Sequence, residues 1–511
     1  MFKDQPKGLI PAALSNMGER FGYYIMNAVL VLFLCSKFGL SEEVSTVIYS
    51  CFYAGIYILG LVGGTIADRT QNYKGTIISG LIIMTAGYIV LSIPVLATEG
   101  NTVWLLSLTC VALFFIAFGN GLFKGNLQAI VGQLYDNPKY ASKRDSGFQI
   151  FYVFINIGGL IAPFVAPMLR SWWLNTNGLK YNADLPALCH QYLSVADSMN
   201  TQNTDNLYAL ITMVGGKAEQ TAEYVSHFCT EYLDVFNTGI HYSFIASVLA
   251  MLISLSIFVA TKKTLPSPAK KEAVKSVKYT EEEKKAMSRE IKQRMGALMA
   301  VLGIVVFFWF SFHQNGTSLT LFARDFVVTK SIAPEIWQAL NPFYVVVLTP
   351  VIMVLFSALS RRGINLSTPR KIAIGMGLAG LAYVFLMIFC AVEGYPSASV
   401  FRSEDLAVAD AAKAGPWVLI LLYFFLTVAE LFISPLGLSF VSKVAPKNLQ
   451  GLCQGLWLGV TAVGNGLLWI GPLLYNKYPI WIAWSVFAAV CLISMGAMFA
   501  MLKWLERVTS D

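Results

Sequence analysis

An all-α membrane protein, with twelve spanning helices in two bundles of six, is the fold class this sequence predicts. Three observations carry it. Of 511 residues, 56% are hydrophobic and only 13% charged, about half the charged share of a soluble domain, and the mean hydropathy is +0.60. Apolar runs of the roughly 20 residues needed to cross the hydrocarbon core recur along the whole chain. Lys and Arg segregate: with the N-terminus inside, 26 of the 37 fall in inside segments and nine in outside segments. That asymmetry is the positive-inside pattern and puts both termini in the cytoplasm.

Taken in order, the runs lie at 8–35, 44–67, 75–96, 102–132, 146–172, 239–261, 295–322, 333–359, 371–392, 415–442, 450–475 and 479–504. The first is interrupted by polar groups and lacks a small-residue cleavage site, so it reads as a span rather than a signal peptide. Short termini point to a prokaryotic, plasma-membrane (bacterial inner-membrane) protein. The sixth and seventh spans are separated by a basic, polar stretch, 262–294. Within it "TEEEKKAMSREIKQR" has acids at its start and bases towards its end, as a surface helix would. The expected organisation is therefore a bundle at 1–261, a cytoplasmic connector at 262–294 and a second bundle at 295–511. "GGTIADRTQNYKG" (63–75) and "SALSRRGINLSTPRK" (357–371) each follow the second span of a half, as in two parallel repeats. The outside loop 173–238 is the one sizeable extramembrane piece, polar and partly helical.

Several function classes drop out. The net charge of +8 sets orientation and is no sign of nucleic acid. Cys35, Cys51, Cys110, Cys390, Cys453 and Cys491 fall in or near spans as apolar fillers; Cys189 and Cys229 fall in the outside loop as either two thiols or a disulfide. No C-x-x-C or H-E-x-x-H pattern suggests a metal, no cofactor motif is present, and no Ser/His or paired-Asp motif in a span suggests an intramembrane enzyme.

Four charges remain inside the spans: Glu19, Arg20, Lys124 and Glu430. Asn16, Glu19, Arg20, Tyr23, Tyr24 and Asn27 follow steps of 3, 1, 3, 1, 3 and share one helix face. That face must look into the bundle or a wet cavity, because charge facing lipid is expensive. Lys124 stands among Gly119, Gly121 and Gly125, which leave room for close approach. Gln149, Tyr152 and Asn156 form a stripe in the fifth span. The seventh carries Trp309, His313 and Gln314, the eighth Asn341, the tenth Glu430 before Pro435, and the eleventh Gln454, Trp457 and Asn465. Together they would line a central cavity, positive at Arg20 and Lys124 and negative at Glu430. Such a cavity suits a zwitterion, its carboxylate on the cations and its ammonium on the acid.

The residues also carry a resemblance. "NMGERFGYY" resembles the E-x-x-E-R-F-x-Y-Y motif of the proton-dependent oligopeptide transporters, a branch of the major facilitator superfamily. "FYVFINIGGL" resembles their F-Y-x-x-I-N-x-G-S-L signature, with Gly159 for Ser. "GGTIADRTQNYKGT" and "GNGLFKGN" are similar to their second-to-third loop and fourth-span motifs, with Gly125 for Pro. "FWFSFHQNGTSL", "LNPFY", "AELFISPLGLS" and "LWLGVTAVGN" extend the likeness over about residues 8–505.

The resemblance implies the major facilitator fold and import of di- and tripeptides with protons by alternating access, by a monomer in the lipid bilayer. It implies that Arg20, Lys124, Tyr23, Tyr24, Asn156 and Asn341 hold the peptide's carboxylate end and backbone. Glu430 would hold the amino end, and Trp309 and Trp457 would wall side-chain pockets. Glu19, Arg20 and Lys124 would couple the proton. Three positions depart: Asn16 replaces the first Glu of the motif, Asn27 an Arg common in bacterial members, and His313 their Glu. In the family that Arg and Glu form an outer gate, with the acid taking the proton. The changes suggest a gate that is uncharged or switched by His313, whose ordinary pKa is near neutral. The same fold carrying another small metabolite (an amino acid, nitrate, a peptide-like compound), or lacking proton coupling, is the alternative.

Overall fold

The computed structural model describes residues 4–98, 100–182, 184–195, 201–267, 281–328, 337, 339–403 and 413–509. Twelve of its helices are long and apolar enough to cross a membrane. Polar caps fix where several begin. Ser41 accepts from Val44 N–H and Asn72 from Gly75 N–H. Thr221 accepts from Tyr224 N–H, and Ser367 from Arg370 N–H. Each satisfies one of the donors that a helix start leaves open. The first span (Leu9–Phe38) ends at Gly39 in the left-handed region, φ +63°, whose N–H returns to Cys35 O; glycine takes that conformation without a Cβ penalty.

The first span packs on the fifth (Arg144–Thr176) and sixth (Ala222–Thr264), and the fourth (Thr102–Gln133) on the second (Val47–Thr70) and third (Tyr73–Ser92). The second bundle is closed by the ninth (Thr368–Val392) against the tenth (Trp417–Val444) and twelfth (Ile480–Ala500), with the seventh (Ser288–Phe326) on the eleventh (Gln450–Lys477). Between bundles, the second span meets the eleventh and the fifth meets the eighth (Leu340–Arg361) and tenth. Backbones come very close there: a Cβ on Gly64 would strike the Gly451 carbonyl, and one on Gly455 would press on the Gly60 carbonyl. Large apolar side chains such as Val103, Ile161, Val354, Val392 and Ile493 stay exposed around the outside, the surface a bilayer would cover.

Three spans are broken. The seventh turns through a 3₁₀ segment at His313–Gly316 before resuming at Ser318. The tenth stops at Leu431 and restarts at Ser434, with Pro435 in its first turn. The eleventh stops at Gly466 and restarts at Ile470. Irregular backbone at membrane depth survives only where other groups take up its freed carbonyls; Tyr423 Oη donates to Asn315 O at 3.1 Å.

Some boundaries differ from the sequence reading. The sixth helix begins at Ala222, seventeen residues before the expected 239, so the end of the outside loop is a rigid extension of the span. The rest of that loop holds helices at Leu185–Val195 and Thr201–Val214, and forms an insertion over 177–221. The helix expected at the end of the connector starts by Glu281 but runs unbroken into the seventh span to Phe312; residues 268–280 lie outside the described residues. So do 333–336, the expected start of the eighth span, whose helix begins at Leu340. Among the described residues there is no strand, only an isolated bridge between Val327 and Ala414.

Candidate functional site

The charged stripe of the first span is internal. Glu19 and Arg20 are both buried and grip each other in a fork: Arg20 Nε donates to Glu19 Oε2 at 2.5 Å and Nη2 to Oε1 at 2.6 Å. Paired planar contacts of this kind give geometric definition as well as attraction. Asn120 of the fourth span donates to the same Glu19 Oε1 at 2.7 Å. The Arg20 guanidinium also lies 4.7 Å from the Tyr23 ring centre. Glu19 is thus fully engaged, while Lys124 has no ion pair among the described residues; its ammonium lies 5.9 Å from the Tyr57 ring. The chemistry available is a cation without its own counter-ion beside a neutralised pair.

The second span adds what the sequence reading missed. Tyr49, Tyr53 and Tyr57 recur every four residues. Tyr49 stacks on Tyr53 at 6.0 Å, and Tyr53 Oη and Tyr57 Oη are 3.0 Å apart. They form a phenolic wall beside Tyr23 and Asn27. The signal was present in "YSCFYAGIY", whose period of four puts three hydroxyls on one face.

Glu430 stands at the junction of the bundles. Tyr152 Oη of the fifth span donates to its Oε1 at 2.5 Å, and Asn341 Nδ2 of the eighth to its Oε2 at 2.6 Å. Asn341 also reaches Thr427 Oγ1 at 3.1 Å. Asn156 folds its Nδ2 back onto Tyr152 O. Tyr24 lies within electrostatic reach of Arg20 and Glu19 on one side and Glu430 on the other. Tyr24 is thus the side chain that senses both the Arg20–Glu19 fork and Glu430.

The remaining candidates form a second group. His313 Nδ1 and Asn465 Oδ1 are 2.5 Å apart, and the His313 ring stacks on Trp309 at 4.8 Å. Trp457 is buried against Gly437, where a Cβ would collide with its ring. The contacts found among the described residues join His313 to Trp309 and Asn465, all in the second bundle, and not to Arg20 or Glu430. Asn16 is buried at the N-terminal end of the stripe, and Asn27, which contacts Tyr49, keeps a buried Oδ1 without a hydrogen-bond partner among the described residues.

A further polar cluster lies towards the face that carries both termini. Asp145 accepts from Lys371 Nζ and Lys443 Nζ, each at 2.8 Å, and from Ser439 Oγ at 2.6 Å. Asp68 accepts Gly451 N–H at 2.9 Å and Leu452 N–H at 2.8 Å, plus the Tyr73 hydroxyl. A carboxylate at the start of the eleventh helix meets its positive end. In the outside loop, Cys189 and Cys229 are buried neighbours and both are free thiols.

Comparison with known proteins agrees with this architecture. A family model described as POT family matches residues 74–280 and 267–480. The dipeptide and tripeptide permease B of Aeromonas hydrophila is 27% identical over 476 residues, 90% of this chain and 83% of that permease. The permease of the same name from Shigella dysenteriae is 27% identical over 533 residues, covering 99% and 96% of the two chains. A crystal structure of a peptide transporter POT in complex with sulfate superposes with a TM-score of 0.59 at 22% identity, over 100% of this chain and 97% of that one. A POT family transporter in complex with a thioalcohol-conjugated peptide gives 0.59 at 18%, over 99% and 98%. The fold is the major facilitator fold, twelve helices in two bundles, and the chain belongs to the POT family.

Proposed function

We propose that this chain is a secondary transporter that imports di- and tripeptides with protons by alternating access, from a bacterial plasma membrane with both termini in the cytoplasm. The reading is supported by Lys124, which has no ion pair among the described residues and lies within electrostatic reach of the Arg20–Glu19 fork, and by Glu430, a buried acid in the other bundle that is felt by Tyr24. A peptide's carboxylate would go to Lys124 and Arg20, and its backbone to Tyr23, Tyr24, Asn156 and Asn341. Its ammonium would go to Glu430, displacing part of the hydrogen bonding from Tyr152 and Asn341. Trp309 and Trp457 would wall the side-chain pockets. The bundles at 1–261 and 295–511 would rock about this site as one monomer, with 262–294 as connector.

For the proton, a carboxylate ligand arriving at Lys124 and Arg20 competes with Glu19, so Glu19, Arg20 and Lys124 form one coupled set. His313 is the fourth candidate, replacing the acid of the family motif. Each proton entering would gain about 2.3 kcal/mol per 100 mV of membrane potential.

Counterflow of labelled dialanine in proteoliposomes, with and without a pH gradient, tests the reading. Counterflow that a gradient enhances supports it. Transport without any gradient effect leaves a peptide facilitator, and competition by free amino acids or nitrate but not peptides turns it to another cargo. If His313→Gln keeps the full pH dependence, His313 is not the switch.

A further inference from the structure

The face that carries both termini has a cavity of about 780 Å³ between the fifth, eighth and tenth spans and the turn before the ninth. Its charge is lopsided. Lys143, Arg361, Lys371 and Lys443 line it against one carboxylate, Asp145. Lys371 and Lys443 already share that carboxylate, so it can neutralise only one of them. Lys143 reaches the exposed Asp4 at 3.2 Å, and Arg361 has no ion pair among the described residues. Ser142 adds a hydroxyl donor, while Ser360 and Ser367 line the cavity but donate to Asn365 and Glu506. The other wall is apolar: Pro350, Met353, Val354 and Leu359 of the eighth span, with Val354 68% exposed on the lipid-facing surface. From Pro350 to Arg361 the helix climbs about 16 Å, which takes the wall from headgroup level well into the hydrocarbon.

We propose that this cavity is a binding site for an anionic phospholipid. The phosphodiester sits among Arg361, Lys143 and the Ser142 hydroxyl, and an acyl chain lies along Met353 and Val354. A soluble anion would use the cations and leave the apolar wall in contact with nothing of its own kind; a lipid uses both. Basic pockets between spanning helices are where anionic headgroups lodge. The position gives the lipid a consequence. Lys143 and Asp145 belong to the first bundle, and Arg361, Lys371 and Lys443 to the second. A bound anion offsets the surplus positive charge where the bundles meet and stabilises that end closed. The site is independent of which solute the protein carries.

The test is a titration of phosphatidylglycerol into the detergent-purified full chain, read as a rise in apparent melting temperature. Phosphatidylcholine and soluble glycerol phosphate are parallel arms. The expected result is stabilisation by phosphatidylglycerol alone. The double variant Lys143→Gln/Arg361→Gln should bind it about twenty-fivefold more weakly, two headgroup-level cations at roughly fivefold each. Lys139→Gln/Arg362→Gln removes two cations from the same face but outside the cavity and should change little. Three results overturn the proposal: no preference for phosphatidylglycerol over phosphatidylcholine, equal losses in the two double variants, or the full effect from glycerol phosphate alone.

Discussion

At the face that carries both termini, Asp145 of the first bundle is held by Lys371, Lys443 and Ser439 of the second, and Asp68 by two backbone N–H groups of the eleventh span. Arg144 donates to Ser442 O at 3.0 Å, and Gln133 to Gln450 at 2.8 Å. At the face that carries the 177–221 insertion, the buried polar bonds close within one bundle. Ser36 donates to Asn237 at 2.7 Å, Lys37 Nζ lies 3.1 Å from His241 Nε2, and His190 Nε2 lies 2.7 Å from Ser36 O. One end is thus sealed by bonds that must break for the bundles to part there. At the other end these bonds, among the described residues, join the first bundle to itself and not to the second. The cross-bundle bonds found between described residues lie at the termini-bearing end or, for Tyr152 and Glu430, at mid-depth.

The largest break in this comparison is Asp145→Asn. It leaves two lysines facing each other without their carboxylate, and removing one partner of a largely buried ion pair costs about 3 kcal/mol. Spin labels at the ends of the fifth and tenth spans should report a broader, longer distance distribution. Next is Asp68→Asn, which keeps an acceptor but loses the charge that the helix start favours, about 1–2 kcal/mol; the same measurement on the second and eleventh spans should show a smaller widening.

Lys37→Met is the control from the opposite face. Lys37 is buried with His241 as its polar neighbour and has no carboxylate partner among the described residues. Removing that charge should leave the distances at the termini-bearing end unchanged and the melting temperature level or slightly higher. A change at the far end would mean that the two faces are coupled through Lys37. The smallest effect concerns His190, outside the spans, whose pKa is lowered by burial despite its bond to Ser36 O. The unfolded histidine then binds more protons than the folded one below about pH 6.5, so anchoring of the Leu185–Val195 helix weakens as pH falls through that value. Hydrogen exchange of this helix, corrected for the intrinsic rate, should quicken from pH 7.5 to 5.5, and His190→Gln should flatten the trend.

How much of this was legible in the sequence depends on range. The twelve spans and the stripe from Asn16 to Asn27 are periodic signals carried by neighbouring residues, and they reappear in the structure, with the Arg20–Glu19 fork turned inward. Lys124 is not ion-paired to Glu19, because Arg20 is adjacent and wins both oxygens. Asp145 escaped notice for a different reason. At the first turn of a span it looks like an ordinary solvated helix-start acid, and its lysines lie more than 220 residues away. The start of the sixth helix escaped because residues 222–238 are polar enough to read as loop, although Thr221 is a fair cap. The breaks at His313–Gly316 and Leu467–Trp469 carry no proline; their local mark is an Asn-Gly pair, Asn315-Gly316 and Asn465-Gly466, which signals a turn but is swamped by the apolar run around it.

The sixth helix has a practical consequence. Its forty residues, Ala222–Thr261, run about 60 Å, roughly twice the hydrocarbon thickness. It therefore stands as a mast well clear of the bilayer, with Phe228, Tyr232 and Phe236 buried along it under the insertion. For a transporter of 56.2 kDa, particle alignment in electron microscopy depends on features that stand clear of the membrane. This mast supplies an asymmetric landmark on one face, and a stiff place to graft an epitope without touching a span.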